Sequence, residues 1–158
     1  VHRASVDPAP AASAGCPGPH PSRSVRPMDL SSAVELLRSE LGDLEIVYLF
    51  GSRARGVGRS DSDVDLAVLA DAPLSPVRRF DLQEAIAARL GRDVDLVDLR
   101  AASTVLRVQV IDGGQVLYER DPNERALFEA TTLGMYVRLN DERREILVDV
   151  RRRGHVHG

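Results

Sequence analysis

Two aspartates, Asp63 and Asp65, stand in a run of residues that otherwise has the pattern of a buried strand. Successive side chains of a strand point to opposite faces, so both carboxylates share one face while Val64 and Leu66 can face the core. Two carboxylates held side by side repel each other unless a cation lies between them. Oxygen ligands of this kind suit Mg²⁺, which also binds substrate phosphates. The pair therefore predicts a platform for two-metal phosphoryl chemistry.

The dipeptide Gly51-Ser52 ends the preceding apolar run and is separated from Asp63 by ten residues. Glycine allows close backbone approach, and Ser52 offers a hydroxyl and a backbone N–H to a phosphate. The nearby guanidinium groups of Arg53 and Arg55 also suit phosphate, although a solvated loop charge is an equal alternative for each. An anion-binding loop beside a metal-binding strand predicts a site for a nucleoside triphosphate and its metal.

A third carboxylate would complete this site, and Asp95 is the best candidate. It lies in the middle of the later apolar run DVDLVDL, between Val94 and Leu96. Asp93 shares its facing but stands at the start of the run, and Asp98 has the opposite facing. A carboxylate in this place is a candidate general base that takes a proton from an attacking hydroxyl.

The elements that must position these residues alternate between helix and strand. Capping and stop signals predict Ser31 or Ser32 as one N-cap, and Ser75 and Gly91 as the two ends of another helix. Helices are predicted at 31–42, 75–91, 103–114 and roughly 122–150, with a short one opening near Gly51, and strands at 44–50, 64–70, 93–99 and 115–119. This alternation predicts an α/β fold, a sheet with helices packed on it.

The composition is that of one globular domain. Of the 158 residues, 43% are hydrophobic and 28% are charged, so a packed core can form. The net charge of −3 gives no electrostatic case for general nucleic-acid binding. We expect no membrane association, because no apolar run approaches the length of a membrane span. The single cysteine, Cys16, cannot form an internal disulfide, which fits a cytoplasmic protein.

The first 27 residues differ from the rest, since they hold six of the nine prolines. Such a segment cannot bury enough apolar surface to offset its ordering entropy. We therefore predict a disordered Pro-rich tail at 1–27 and a folded domain at 28–158. Met28 stands where the ordered pattern begins, which suggests the hypothesis that translation starts at or near it.

The spacing of Gly51-Ser52 and Asp63-Val64-Asp65 resembles the signature of the polymerase-beta-like nucleotidyltransferase superfamily. The form GSRARG…SDSDVDLAVL, with the later VDLVDL, is similar to the minimal nucleotidyltransferases (MNT). More closely, the chain resembles the MntA-type antitoxins encoded beside a HEPN-domain toxin. The likeness covers about residues 30–150 and includes GGQVLYERDPNERALFEA, followed by a helix bearing Tyr136.

This resemblance implies a nucleotidyltransferase fold with a small mixed sheet, flanking helices and a long C-terminal helix. It implies that Asp63, Asp65 and Asp95 ligate two Mg²⁺ ions and that Asp95 also activates the acceptor hydroxyl. Gly51 and Ser52 would hold the triphosphate of ATP, helped by Arg53 or Arg55. The hydroxyl would belong to a tyrosine of the HEPN toxin, which AMP transfer silences; this chain and the toxin would form a hetero-oligomer.

Two other functions are compatible with the sequence. The nucleotide could be transferred to a small molecule such as an aminoglycoside, although the chain has little left over for a substrate-binding domain. The fold could also neutralise a toxin by binding alone. The apolar stripe of the last helix either packs on the sheet or partly faces a partner helix. The chain's own tyrosines, Tyr48, Tyr118 and Tyr136, are expected to be packing residues rather than acceptors.

Overall fold

Four strands and five helices alternate along the part of the chain that the computed structural model describes, residues 29–56 and 62–153, with side chains to residue 151. In chain order these are α1 (Ser31–Glu40), β1 (Leu44–Phe50), α2 (Gly51–Ala54), β2 (Val64–Ala70), α3 (Pro76–Leu90), β3 (Val94–Asp98), α4 (Thr104–Gly113), β4 (Gln115–Glu119) and α5 (Pro122–Arg153). The predicted alternation is confirmed. The predicted tail at 1–27 lies outside the described residues.

The four strands form one mixed sheet in the order β3-β2-β1-β4. β1 is antiparallel to both β2 and β4, whereas β2 and β3 are parallel. The parallel pair is possible because α3 crosses over between the two strands, as parallel neighbours require. A small mixed sheet with flanking helices and a long last helix is the predicted nucleotidyltransferase fold.

Helices cover both faces of the sheet, and alternate strand residues supply each side. On one face, Val47 and Leu66 pack with Leu37 of α1 and Ile86 of α3. The other face is covered by α4 and α5. Its apolar cluster consists of Ile46, Tyr48, Ala67, Leu69, Leu99 and Val110, with Phe50, Val97, Leu106 and Phe128 packed against it. Because side chains alternate, the odd-numbered positions of β2, including Asp65, belong to this second face.

The helix ends follow local capping chemistry, with one difference from prediction. Ser75 Oγ accepts a hydrogen bond from the Arg78 N–H, and α3 stops at Gly91, which has φ +62°, as predicted. The prediction of Ser31 or Ser32 as N-cap of α1 is wrong. The N-cap position is taken by Leu30, and Ser31 is the first residue of the helix. Ser31 donates its N–H to an Asp29 carboxylate oxygen at 2.9 Å.

The last helix, α5, packs on the sheet only along its first half. Phe128 packs against the second-face cluster, and Thr132 is buried. Residues 141–149 are all exposed, including Ile146, Leu147 and Val148. Within the described ranges, no helix combines the length and apolar character needed to cross a bilayer.

Candidate active site

The sheet register brings the predicted carboxylates together. Asp65 on β2 is the direct partner of Asp95 on the parallel strand β3, and Asp63 comes immediately before β2. Residues at this spacing share one face, so the three side chains lie on the α4/α5 face near the start of both strands. Asp65 is half-buried, whereas Asp63 and Asp95 are exposed. The half-buried Asp65 thus has two acidic neighbours: Asp63 along its own chain and Asp95 on the adjacent strand β3.

The electrostatics of this group favour a cation. Burial raises the pKa of Asp65, and the negative charges of Asp95 and Asp63 raise it further. The positive charges of Arg53 and Arg55 act in the opposite direction but do not cancel the rise. A carboxylate whose charge is disfavoured by its own neighbours would be stabilised by a cation placed among them.

The three side chains fit Mg²⁺ by donor type, because carboxylate oxygens are the ligands that this hard cation takes. In the described ranges, however, no three His, Cys, Asp or Glu side chains already converge into a metal-binding cluster. Repulsion between unneutralised carboxylates opposes such convergence. Ligation by Asp63, Asp65 and Asp95 accordingly stays a prediction, supported by the donor set and by the raised pKa of Asp65.

Gly51 makes room for the Asp65 carboxylate. Its φ is +74°, a left-handed conformation that L side chains rarely adopt. A Cβ built on Gly51 would lie 2.8 Å from Asp65 Cγ and closer still to Oδ2. The cause is the register, since Phe50 is the cross-strand partner of Asp65. Glycine at this position therefore lets the carboxylate lie directly against the backbone that leads into α2, where Ser52 is half-buried.

The two arginines predicted beside the triphosphate have different surroundings. Arg53 Nε donates to the backbone carbonyls of Ser62 and Asp63 at 2.9 and 3.1 Å. Its Nη2 also donates to the Ser62 carbonyl. Arg53 therefore ties α2 to the segment that delivers Asp63, whereas Arg55 is exposed. Sequence reasoning missed this contact because backbone acceptors leave no signature in residue types.

The rival aspartates of the β3 run have other surroundings. Asp93 is exposed, and its carbonyl accepts from the Val64 N–H at 2.9 Å. Asp98 is buried and faces away from Asp95, as predicted. Its carboxylate accepts hydrogen bonds from the N–H groups of Leu74 and Arg100, at 2.8 and 2.9 Å. Asp98 thereby fixes the loop between β2 and α3, and Asp95 remains the member of this run that faces Asp65.

Tyr48 lies on the same sheet face, paired with Ala67 of β2, which is two residues from Asp65. Its side chain is buried, and its hydroxyl donates to Glu129 Oε1 at 2.8 Å. Burial and the nearby Glu129 carboxylate raise the Tyr48 pKa. Glu129 in turn pairs with Arg125, which also binds Glu119. This hydrogen-bonded chain joins β1, β4 and α5, in keeping with the expectation that Tyr48 is a packing residue.

The fold and the paired carboxylates define a class of protein. The family model described as "Polymerase beta, Nucleotidyltransferase" matches residues 33–123, which include Gly51, Ser52 and all three predicted carboxylates. The chain belongs to this nucleotidyltransferase family.

More particularly, it is 43% identical over 117 residues to the protein adenylyltransferase MntA of Shewanella oneidensis, covering 74% of this chain and 84% of that protein. Among solved structures, it is similar to a chain of a toxin-antitoxin crystal structure with AMP-PNP, with 41% identity and a TM-score of 0.71 over 77% of this chain and 98% of that one.

A second solved structure is described as tri-AMPylated Shewanella oneidensis HEPN toxin in complex with MNT antitoxin. It matches with 40% identity and a TM-score of 0.65, over 76% of this chain and 93% of that one. The sequence-based resemblance to minimal nucleotidyltransferases of the MntA type is therefore confirmed.

Proposed function

We propose that this chain transfers AMP from ATP to a tyrosine hydroxyl of a HEPN-type toxin, and that the transfer neutralises the toxin. The observation that carries the proposal is the register that places Asp65 opposite Asp95, with Asp63 immediately before β2. Gly51, which has no Cβ, leaves room for the Asp65 carboxylate. The identity to the adenylyltransferase MntA, and the likeness to an antitoxin in complex with an AMPylated toxin, support the choice of nucleotide and acceptor. Because the reaction consumes ATP, we place it in the cytoplasm.

In this mechanism Asp63, Asp65 and Asp95 would hold Mg²⁺ ions. Bound there, two ions would neutralise the triphosphate and stabilise the charge of an in-line displacement. Asp95 is the general base, because it faces Asp65 yet is exposed to an incoming hydroxyl. It takes the tyrosine proton while the tyrosine oxygen bonds to the α-phosphorus, and the bond from that phosphorus to the bridging oxygen breaks to release pyrophosphate.

The segment that precedes the carboxylates binds the triphosphate of ATP. Gly51 leaves the backbone accessible, and Ser52 offers its hydroxyl and N–H to the phosphates. Arg55 is exposed and can turn toward the triphosphate, whereas Arg53 is engaged by the carbonyls of Ser62 and Asp63. We therefore assign Arg55 to phosphate binding and Arg53 mainly to positioning Asp63.

The test of the function is intact mass spectrometry of the neighbouring gene's product, co-expressed with this chain. We expect the partner to gain one or more AMP masses, located on tyrosine by peptide sequencing. A stable complex without a mass gain would contradict the proposal and favour neutralisation by binding alone. Protection of cells from an aminoglycoside by this chain alone would favour a small-molecule acceptor.

Substitution of the two arginines separates positioning from phosphate binding. We expect Arg53→Gln to lower kcat by roughly tenfold to a hundredfold, because the backbone that carries Asp63 loses its guanidinium contacts. Arg55→Gln should mainly raise KM for ATP, by roughly tenfold, the value of one charge-assisted hydrogen bond. Steady-state kinetics with varied ATP checks both. The assignment would be wrong if Arg53→Gln changed only KM.

A further inference from the structure

A cavity of about 380 Å³ opens between the sheet and α5, at the far end of the face that carries the carboxylates. Leu69 lines it and lies four residues beyond Asp65 on β2, so it is on the same face and about 13 Å from Asp65 along the strand. We call this cavity the α5 groove. Its apolar wall is formed by Leu69, Leu127, Phe128 and Met135.

The charged groups of the α5 groove leave one guanidinium unneutralised. Glu45 pairs with Arg100 at 2.6 Å, and Glu124 pairs with Arg120 at 3.0 Å. Arg107 also lines the groove, and its Nη2 donates to the Arg100 carbonyl at 2.8 Å. Its Nε is buried and has no hydrogen-bond partner in the described part of the chain. Each carboxylate of the groove thus has a cation, whereas Arg107 has no carboxylate among the described residues.

Exposed apolar side chains recur on this side of α5 beyond the sheet, with the charged Glu142 between them. Leu127 and Met135 are 69% and 46% exposed although they line the cavity. Ile146, at 62% exposure, follows Met135 by eleven residues, which is three turns, and so lies on the same side of α5. A surface that extends this far suits a protein chain better than a small molecule, which would need only the cavity.

We propose that the α5 groove is the docking site for the protein partner, which places an acidic side chain at Arg107 and an apolar side chain against Leu127 and Met135. The inference rests on the proposed function for the existence of such a partner. A carboxylate is the fitting ligand because Arg107 has no anionic partner among the described residues, and a guanidinium binds carboxylates through charge-assisted hydrogen bonds. Docking at this end would separate recognition of the partner from the reaction at the carboxylates of the other end.

The test measures binding of the partner protein to the full chain by titration calorimetry without nucleotide. We expect Arg107→Gln to raise Kd by about tenfold or more, since a charge-assisted contact is lost. Met135→Gln should raise Kd by about threefold or more, and its partial exposure means that folding is little affected. Arg144→Gln is the matched control, because Arg144 is 79% exposed and lies nine residues from Met135, on the opposite side of α5.

The outcomes distinguish this inference from the proposed function. Weaker binding by both groove variants, with Arg144→Gln unchanged, supports the α5 groove. Wild-type affinity in both would overturn it, even while the partner still gains AMP. If Arg107→Gln raised Kd while Met135→Gln did not, Arg107 would be a site for an anion only, and the proposal of a docking groove would be overturned. If the wild-type chain neither binds nor modifies the partner, both the function and the groove assignment fall.

Discussion

Replacement of Asp63 and Asp65 by asparagine is expected to abolish AMP transfer, lowering the rate by at least about a thousandfold. Asparagine keeps the size of each side chain but removes both charges that would hold Mg²⁺ beside the triphosphate. Partner adenylylation, followed by intact mass, measures the loss. The matched control is Asp81→Asn, because Asp81 is an exposed carboxylate on α3, which covers the other face of the sheet.

The same double variant should be more stable than the wild type when Mg²⁺ is absent. The pKa of Asp65 is raised by burial and by Asp95 and Asp63, so the folded wild-type protein holds this proton more tightly than the unfolded chain. Its stability therefore falls as the pH rises from the ordinary aspartate pKa through the raised one, and the loss persists above it. Thermal unfolding should show the variant melting higher at neutral pH, with the gap closing in acid. A lower melting temperature would mean that lost activity reflects misfolding.

Gly51→Ala is expected to have the second-largest effect. The added methyl group overlaps the Asp65 carboxylate, which must then leave the position that it holds between Gly51 and Asp95. Displacement of a reacting group by about 1 Å can lower activity about a hundredfold, and the left-handed backbone at Gly51 adds roughly 1–2 kcal/mol of strain. Transfer kinetics and thermal unfolding of the purified variant measure the two effects separately.

Gly56→Ala is a close control for this change. Gly56 has φ +71°, almost the same as Gly51, but a Cβ there would meet no atom of the described residues within 4 Å. This variant should bear a similar backbone strain while its activity at saturating substrate stays within about twofold of wild type. Equal activity losses in the two variants would show that strain alone, and not the space kept for Asp65, explains the need for glycine at Gly51.

The strands could be predicted from sequence because apolar periodicity and turn residues are local signals. Residues 44–50 and 64–70 form strands with the predicted bounds, and the alternation within the second correctly placed Asp65 on the face away from Leu66. The sequence singles out Asp95 as the candidate third carboxylate but carries no signal of which strand lies beside β2. The parallel register of β2 and β3 places Asp65 and Asp95 directly opposite each other.

Other features depend on contacts between distant segments and could not be predicted. The guanidinium of Arg53 binds backbone carbonyls, which every residue type carries, so its sequence context suggested phosphate instead. The start of α1 has Leu30 at the N-cap position with the Asp29 carboxylate bound to the Ser31 N–H, although the sequence favours one of two serines as the cap. The Arg107 Nε is buried and has no hydrogen-bond partner among the described residues, and no residue type or spacing signals this.

The buried hydroxyl of Tyr48 bears on substrate discrimination. An enzyme that modifies tyrosines faces the hazard of labelling itself, and Tyr48 lies on the same face of the sheet as Asp65 and Asp95, with its cross-strand partner Ala67 two residues from Asp65. Its oxygen is held by Glu129 under α5 and is removed from solvent. On the proposed function, the packing that fastens α5 to the sheet thereby also protects the enzyme from modifying Tyr48, since this buried phenol cannot compete with that of the partner.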